Sequence, residues 1–341
     1  MESEMRKLVK GNLSIFASLL YCYLISSKFP KGKFRLVSLL PVITFFTQFP
    51  FIFSYLFPRA ITSLFISWLA NFKLVLFAFD QPPLSSSDYN SLLHFISVVI
   101  LPIKINKIKN YPSPQKPKPL HLIFPAKVLI FTILVTAHDH SKDHLHQILL
   151  LLLYCVMVYL LVDIVFGVCN ALVYAILRME LESPSDDPYF STSLQDFWGR
   201  RWNLMVTNLL RYTVHKPVKS RSEKGLGEWA PLPAILATFS VSGLMHELLF
   251  YHITRANPTW EVTCFFVLNG LCLVVEMVVK RRLSRRGWQL HWMLSGPLTV
   301  GFVVVTAMWL FFPPLIRTGA IDGAIGECKM MFNYLKWMTK L

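Results

Sequence analysis

Long apolar runs alternate with short basic stretches along this chain, and most of the runs have the length of a membrane crossing. Apolar spans are expected near 8–27, 36–57, 60–79, 120–137, 146–168, 230–251, 260–279 and 292–312, since about 20 such residues cross the hydrocarbon of a bilayer as a helix. The first run carries no small-x-small cleavage pattern after it and is read as a span rather than a removed signal peptide. Pro41 and Pro50 fall in the second, where neighbouring helices can satisfy the freed carbonyls. The third contains Asn71 and Lys73, and Lys73, two turns from its end, is expected to snorkel. The run over 145–177 exceeds one crossing, so a span plus an amphipathic tail is expected there, with Asp163, Gly167 and Asn170 marking an inward or interfacial face. The pattern predicts an all-α, polytopic helical membrane protein with about eight transmembrane helices, a single integral-membrane domain over 1–341.

The segments between the runs orient the chain. Residues 28–35, the 80–119 loop, the 178–228 loop and Lys280-Arg-Arg-Leu-Ser-Arg-Arg286 hold most of the basic residues, and alternation places all four in the cytosol, as the positive-inside rule requires. Both termini and the hairpin at 138–146 then fall on the luminal side. Within the first cytosolic loop, 92–105 is half apolar but too short to cross, so an interfacial or re-entrant helix is expected.

Composition narrows the class. The chain is 54% hydrophobic with mean hydropathy +0.48, yet carries a formal charge of +15. Such a charge first suggests nucleic acid, but these basic residues lie between apolar spans, where they set topology; no nucleic-acid partner is expected, and the lipid bilayer is the expected surroundings. Five of the 6 cysteines, Cys22, Cys155, Cys169, Cys264 and Cys272, lie inside apolar runs without paired spacing, which argues against a disulfide framework or a zinc site. The densest histidine cluster, His138 to His146, offers His140 and His144 on one helical face beside Asp139 and Asp143. A solvated hairpin is expected there, because nothing fixes a closed set of ligands, and no metal is assigned.

Two stretches carry candidate chemistry. In Phe239-Ser-Val-Ser-Gly-Leu-Met-His-Glu-Leu-Leu-Phe-Tyr-His252, His246 lies far along an apolar run, and an ionisable group there either serves function or is satisfied by a carbonyl. At helical spacing Ser242 and Gly243 share its face, while Glu247 and His252 point away. Ser242 lacks the elbow and third residue of a hydrolase serine and is read as a packing residue. Gly243 suits either a close-lying chain or close helix packing. Phe250 stands where a second histidine of H-E-x-x-H would be, which excludes zinc-protease chemistry. The second stretch is Gln195-Asp-Phe-Trp-Gly-Arg-Arg-Trp-Asn203. Its Trp and Arg side chains suit a membrane-interface belt or a site that stacks on and pairs with an anionic cofactor.

Asp196-Phe-Trp-Gly-Arg-Arg-Trp-Asn203 followed by Ser242-Gly-Leu-Met-His-Glu-Leu-Leu-Phe-Tyr251 resembles the paired signature of plant wax synthase-like proteins, within the membrane-bound O-acyltransferase superfamily. Trp68-Leu-Ala-Asn-Phe-Lys-Leu-Val-Leu-Phe-Ala78 and Leu101-Pro-Ile-Lys-Ile105 match the same family, so the likeness covers nearly the whole chain. The resemblance implies helices around a buried catalytic tunnel and transfer of a fatty acyl group from acyl-CoA to a long-chain fatty alcohol, giving a wax ester, in the endoplasmic reticulum. Acyl-CoA is then a co-substrate and no cofactor is expected. Some close relatives acylate sterols, so a sterol is the alternative acceptor.

That reaction assigns roles. His246 is the expected general base for the alcohol, which attacks the thioester directly, because a neutral imidazole suits a hydroxyl of negligible acidity. Asn203 is expected to donate to the carbonyl oxygen or to orient the imidazole, and Trp198, Arg200, Arg201 and Trp202 to hold the CoA end. A membrane carrier or channel using His246, Asp163 and Glu276 is the competing class, though no internal repeat or interrupted helix pair supports it. Whether the chain forms a homo-oligomer stays open, since an apolar surface reads the same against lipid or a second copy.

Overall fold

A computed structural model describes residues 2–85, 91–101, 120–141, 146–177, 185–284 and 291–338. Among these residues every named element is a helix. Helices Arg6–Lys28, Lys33–Ile52, Leu56–Ala78, Gln147–Ala175, Pro231–Thr254, Glu261–Leu283 and Trp292–Arg317 are long and apolar enough to cross a membrane. An eighth expected span also forms, as the helix Leu120–Ser141, but its apolar portion is only Phe124–His138. The predicted spans thus appear as helices in the predicted order. The helix begun at Gln147 continues unbroken to Leu177.

The chain divides into two compact units. One comprises 1–102, 206–281 and 313–341. Its central element is Leu56–Ala78, of which 67% is buried, against 22% to 33% for the other spans that lie in this unit up to Leu283. Polypeptide sequence explains why this helix is inside: it carries the large apolar side chains Phe65, Trp68, Leu69, Leu74 and Phe77, all buried, and also Ser63, Ser67, Asn71 and Lys73, likewise buried. Lipid cannot satisfy such polar groups, so a helix bearing them is driven to the middle of the protein. Helix Lys33–Gln48 packs along it, and Pro231–Thr254 packs against its first half.

Lys73 departs from the expected snorkelling. It is buried, and its Nζ donates to the carbonyls of Val98 at 2.7 Å and Leu101 at 2.5 Å, capping the C-terminal end of the short helix Leu92–Ile100. Snorkelling presumes a lipid-facing helix, and this one is largely buried in the protein. Of the 92–105 piece, Leu92–Ile100 is a short helix: Ser91 caps its first turn by accepting from His94 N, and Phe95, Val98 and Val99 are buried. Residues 102–119, including the lysine-rich part of that loop, lie outside the described residues.

The other unit comprises 103–205 and 282–312. Here Leu120–Ser141 and Gln147–Leu177 form a helical hairpin closed at Gly167, where an added Cβ would lie 2.4 Å from the ring of Phe124. Asp163 does face inward. Its carboxylate accepts from Lys127 at 2.5 Å and from the Ser185 hydroxyl at 2.9 Å. His138 does not belong to a solvated hairpin: it is buried in the helix, with its Nε2 3.1 Å from the Tyr154 hydroxyl. His146, at the other end of the cluster, is exposed, and residues 142–145 lie outside the described residues.

Candidate active site

His246 sits about two thirds of the way along Pro231–Thr254, a helix started by Pro231 at its first turn and ended at Arg255 in a left-handed conformation. Its Nδ1 lies 2.8 Å from the backbone carbonyl of Ser242. A carbonyl only accepts, so Nδ1 carries the proton and Nε2 of the neutral ring is the basic nitrogen. The bland reading of a carbonyl-bonded histidine is therefore correct for one nitrogen, and it fixes the tautomer that the chemical reading needs for the other.

Two aromatic rings hold the imidazole plane. Phe266 stacks on it with centroids 4.1 Å apart and 26° between planes. Trp68, from the central helix, stands nearly perpendicular at 4.8 Å and 81°. A ring packed in two directions and tethered at Nδ1 has one orientation, which is what a positioned base requires.

Neighbouring positions have other duties. Ser242 is buried and meets His246 through its backbone carbonyl. Gly243 is a packing glycine, since an added Cβ would lie 3.0 Å from Thr263 Cα and 3.2 Å from Thr263 O. Glu247 faces away from His246 as expected. Its carboxylate accepts from Trp260 N at 2.9 Å and from the Thr263 hydroxyl at 3.0 Å, capping the helix that begins at Glu261. That cap fixes the following helix lengthwise, and Phe266 lies on that helix one turn beyond Thr263. His252 bonds Ser63, with 2.7 Å between Nδ1 and Oγ.

The segment 185–203 belongs to the other unit and closes on itself. Asp186 N donates to Arg201 O at 2.8 Å, Trp202 N donates to Phe197 O at 2.8 Å, and Phe197–Arg201 forms a wide π-type turn. Arg201 lies at its centre: Nε donates to the Asp196 carboxylate at 2.8 Å, and an Nη to the carbonyls of Asp186 and Asp187. Its donors are turned into the loop. Arg200, next to it, is exposed. Trp202 stacks on Phe197 at 5.9 Å and 15°, and Trp198 stands edge-on to the same ring at 5.0 Å. Asn203 has φ of +45°, a left-handed conformation that Asn tolerates better than most residues. The two arginines that look alike in sequence thus have different work, one organising the loop and one facing outward.

Comparison with known proteins gives this arrangement its context. A family described as "Membrane bound O-acyl transferase family" matches residues 182–268, a stretch that holds both the Arg-Trp-Asn loop and His246. The chain is 43% identical to the "Probable long-chain-alcohol O-fatty-acyltransferase 3" of Arabidopsis thaliana, over 98% of this chain and 97% of that one. It is 41% identical to the "Long-chain-alcohol O-fatty-acyltransferase" of Simmondsia chinensis, over 98% of this chain and 96% of that one. The chain belongs to the wax synthase-like branch of the membrane-bound O-acyltransferase family. It is accordingly an enzyme, an integral-membrane O-acyltransferase, and the carrier or channel reading is set aside.

Nothing in the sequence pattern marks Trp68 and Phe266 as neighbours of His246. A signal for Trp68 was present, since it lies in a stretch that matches the family and sits between Ser67 and Asn71 in an otherwise apolar run. Phe266 is one of 27 phenylalanines and had nothing to distinguish it.

Proposed function

We propose that this O-acyltransferase esterifies a long-chain fatty alcohol with the fatty acyl group of acyl-CoA, giving a wax ester, with His246 as general base. The observation that carries the reading is the bond from His246 Nδ1–H to the Ser242 carbonyl, because it leaves Nε2 as the basic nitrogen of a ring held in one orientation. The alcohol gives its proton to Nε2 as its oxygen attacks the thioester carbonyl. No acyl-enzyme is needed, since a thiolate with a pKa of about 8.5 is a tolerable leaving group. The names of the relatives support the acyl acceptor, and the apolar helices suit two substrates that partition into a bilayer and a thioester that must be kept from water.

The 196–203 segment suits the polar end of the donor. Arg200 offers an exposed guanidinium for phosphate, Trp198 and Trp202 offer ring faces, and the amide of Asn203 can donate to a carbonyl oxygen. Arg201 acts by holding that segment in shape. An endoplasmic reticulum location is part of the proposal and rests on the family resemblance alone.

The test is ester formation by membranes of an ester-deficient host expressing the wild type or His246→Ala, supplied with labelled acyl-CoA and hexadecanol or a sterol. Wax ester from the wild type, with a loss of about 10²-fold or more in the variant, is the expected result. Full activity in correctly inserted His246→Ala would overturn the base assignment, and ester formed with sterol alone would replace the acceptor.

A further inference from the structure

The most buried helix of the His246 unit holds polar atoms that its own fold does not use. Trp68 is 1% exposed, and its Nε1 is shut off from solvent without a hydrogen-bond partner among the described residues. On the same helix the Ser67 hydroxyl and Asn71 Oδ1 are in the same condition. Buried indole N–H groups ordinarily find an acceptor, and one left without is a place to look for a ligand. The local backbone is consistent with this, since Ser63–Ala70 is wound as a π-helix, a form that is rare and frequently found at functional sites. Of these side chains it is Trp68 whose ring meets the proposed base, at 4.8 Å.

The chemistry of the group limits what it can do there. An indole N–H donates and never accepts, and it carries no charge to lose. It cannot relay the alcohol proton or serve as a second base. It can stabilise negative charge that develops within reach of His246, and in this reaction such charge develops on the oxygen of the thioester carbonyl.

We propose that the indole N–H of Trp68 donates a hydrogen bond to the acyl carbonyl oxygen as the alcohol attacks, which makes Trp68 a catalytic residue beside His246. The inference rests on the His246 reading above. In the step, the alcohol proton passes to His246 Nε2 while the alcohol oxygen forms a bond to the carbonyl carbon. The carbonyl electron pair moves onto oxygen, where Trp68 holds it. The carbonyl then re-forms, the carbon–sulfur bond breaks, and the departing CoA thiolate takes the proton from His246, leaving ester and thiol.

Trp68→Phe tests this, because it keeps an aromatic ring against His246 and removes the donor. Wild type, Trp68→Phe and His246→Ala are compared as intact membrane protein for kcat, for KM of acyl-CoA and alcohol, and for inhibition by an S-alkyl-CoA thioether, which has the chain and CoA but no carbonyl. The expected result is a loss of about 10²–10³ in kcat with both KM values and thioether inhibition within about twofold of wild type. A merely structural role would weaken thioether binding together with kcat, and that result, like an unchanged kcat, overturns the proposal. Should Trp68→Phe fail to accumulate, benzothienylalanine at position 68 decides, being close to tryptophan in shape but lacking the N–H: full kcat overturns the proposal and selective loss supports it. If His246→Ala is inactive while Trp68→Phe is fully active, the Trp68 assignment alone falls; if His246→Ala is fully active, the His246 reading falls first.

Discussion

Gly243→Ala adds one methyl group at a close approach between the His246 helix and its neighbour. The new Cβ would sit 3.0 Å from Thr263 Cα, 3.2 Å from Thr263 O and 3.3 Å from Thr263 Cγ2, where ordinary contact begins near 3.4 Å. Two of those three atoms are backbone, so no rotamer change relieves the contact and the helices must separate by a few tenths of an ångström. Separation is opposed at the same level by Glu247, whose carboxylate accepts from Trp260 N and from Thr263. Overpacking of this kind costs about 1–3 kcal/mol.

The same movement carries Phe266, which stacks on His246 at 4.1 Å. A base displaced by a fraction of an ångström loses alignment with its proton, and a 1 Å error is worth about 10²-fold in rate. Gly243→Ala is therefore expected to lower the thermal midpoint of the purified protein by several degrees and to reduce ester synthesis by about 10-fold to 10²-fold. Gly301→Ala is the matched control, since nothing lies within 4 Å of a Cβ there. Thermal midpoints come from detergent-solubilised protein, and rates from the same preparation with a series of acyl-CoA chain lengths. An unchanged midpoint with altered chain-length preference would refute the packing argument and restore the reading in which a lipid chain lies against Gly243.

Further outcomes follow from the loop and the caps. Arg200→Gln is expected to raise KM for acyl-CoA about 10-fold and to weaken its salt dependence without loss of stability, whereas Arg201→Gln, by breaking the bonds to Asp196, Asp186 and Asp187, should reduce the amount of folded protein; equal behaviour of the two variants would contradict their separate roles. Glu247→Ala removes the cap on the helix begun at Glu261 and should cost about 0.5–2 kcal/mol, read as a lower thermal midpoint that Glu247→Gln partly restores. Burial, then Arg211 and Lys219, lower the pKa of His215 from 6.5. The folded protein thus binds fewer protons there than the unfolded chain, so stability is full at higher pH and falls as pH drops through the ordinary histidine range. His215→Gln should flatten the fall in thermal midpoint between about pH 7 and pH 5.5, and an unaltered profile would remove His215 as its source.

The spans were legible because each needs about 20 apolar residues in a row, a signal no tertiary contact has to supply. Their packing was less legible, for a physical reason: lipid and protein interior are both apolar, so a hydropathy pattern does not say which helix is central. Lys73 illustrates the loss. Its place two turns from the end of a span points to the water interface, yet it lies buried on the central helix, donating to Val98 and Leu101. Arg200 and Arg201 were indistinguishable as adjacent letters, and only the fold of 185–203 separates them. His246 was legible because an ionisable group in an apolar run must be answered for, whichever answer holds.

The same logic applied to uncharged polar groups would have found the central helix. Ser63, Ser67 and Asn71 are spaced four apart in an apolar run, and each was cheap to overlook alone. Together they form a stripe that hydrocarbon cannot satisfy, and it identifies Leu56–Ala78 as the helix the unit must wrap. Part of that stripe is answered locally: Ser63 meets His252, and the Asn71 amide donates to Thr47, Ile43 and Ser67. The Ser67 hydroxyl, Asn71 Oδ1 and Trp68 Nε1 are not so answered among the described residues. A protein interior that carries polar atoms beyond what its own packing uses, next to a histidine of fixed tautomer, has the composition of a reaction site rather than of a structural core. On the proposal made above, the chemistry depends on the central helix as much as on His246.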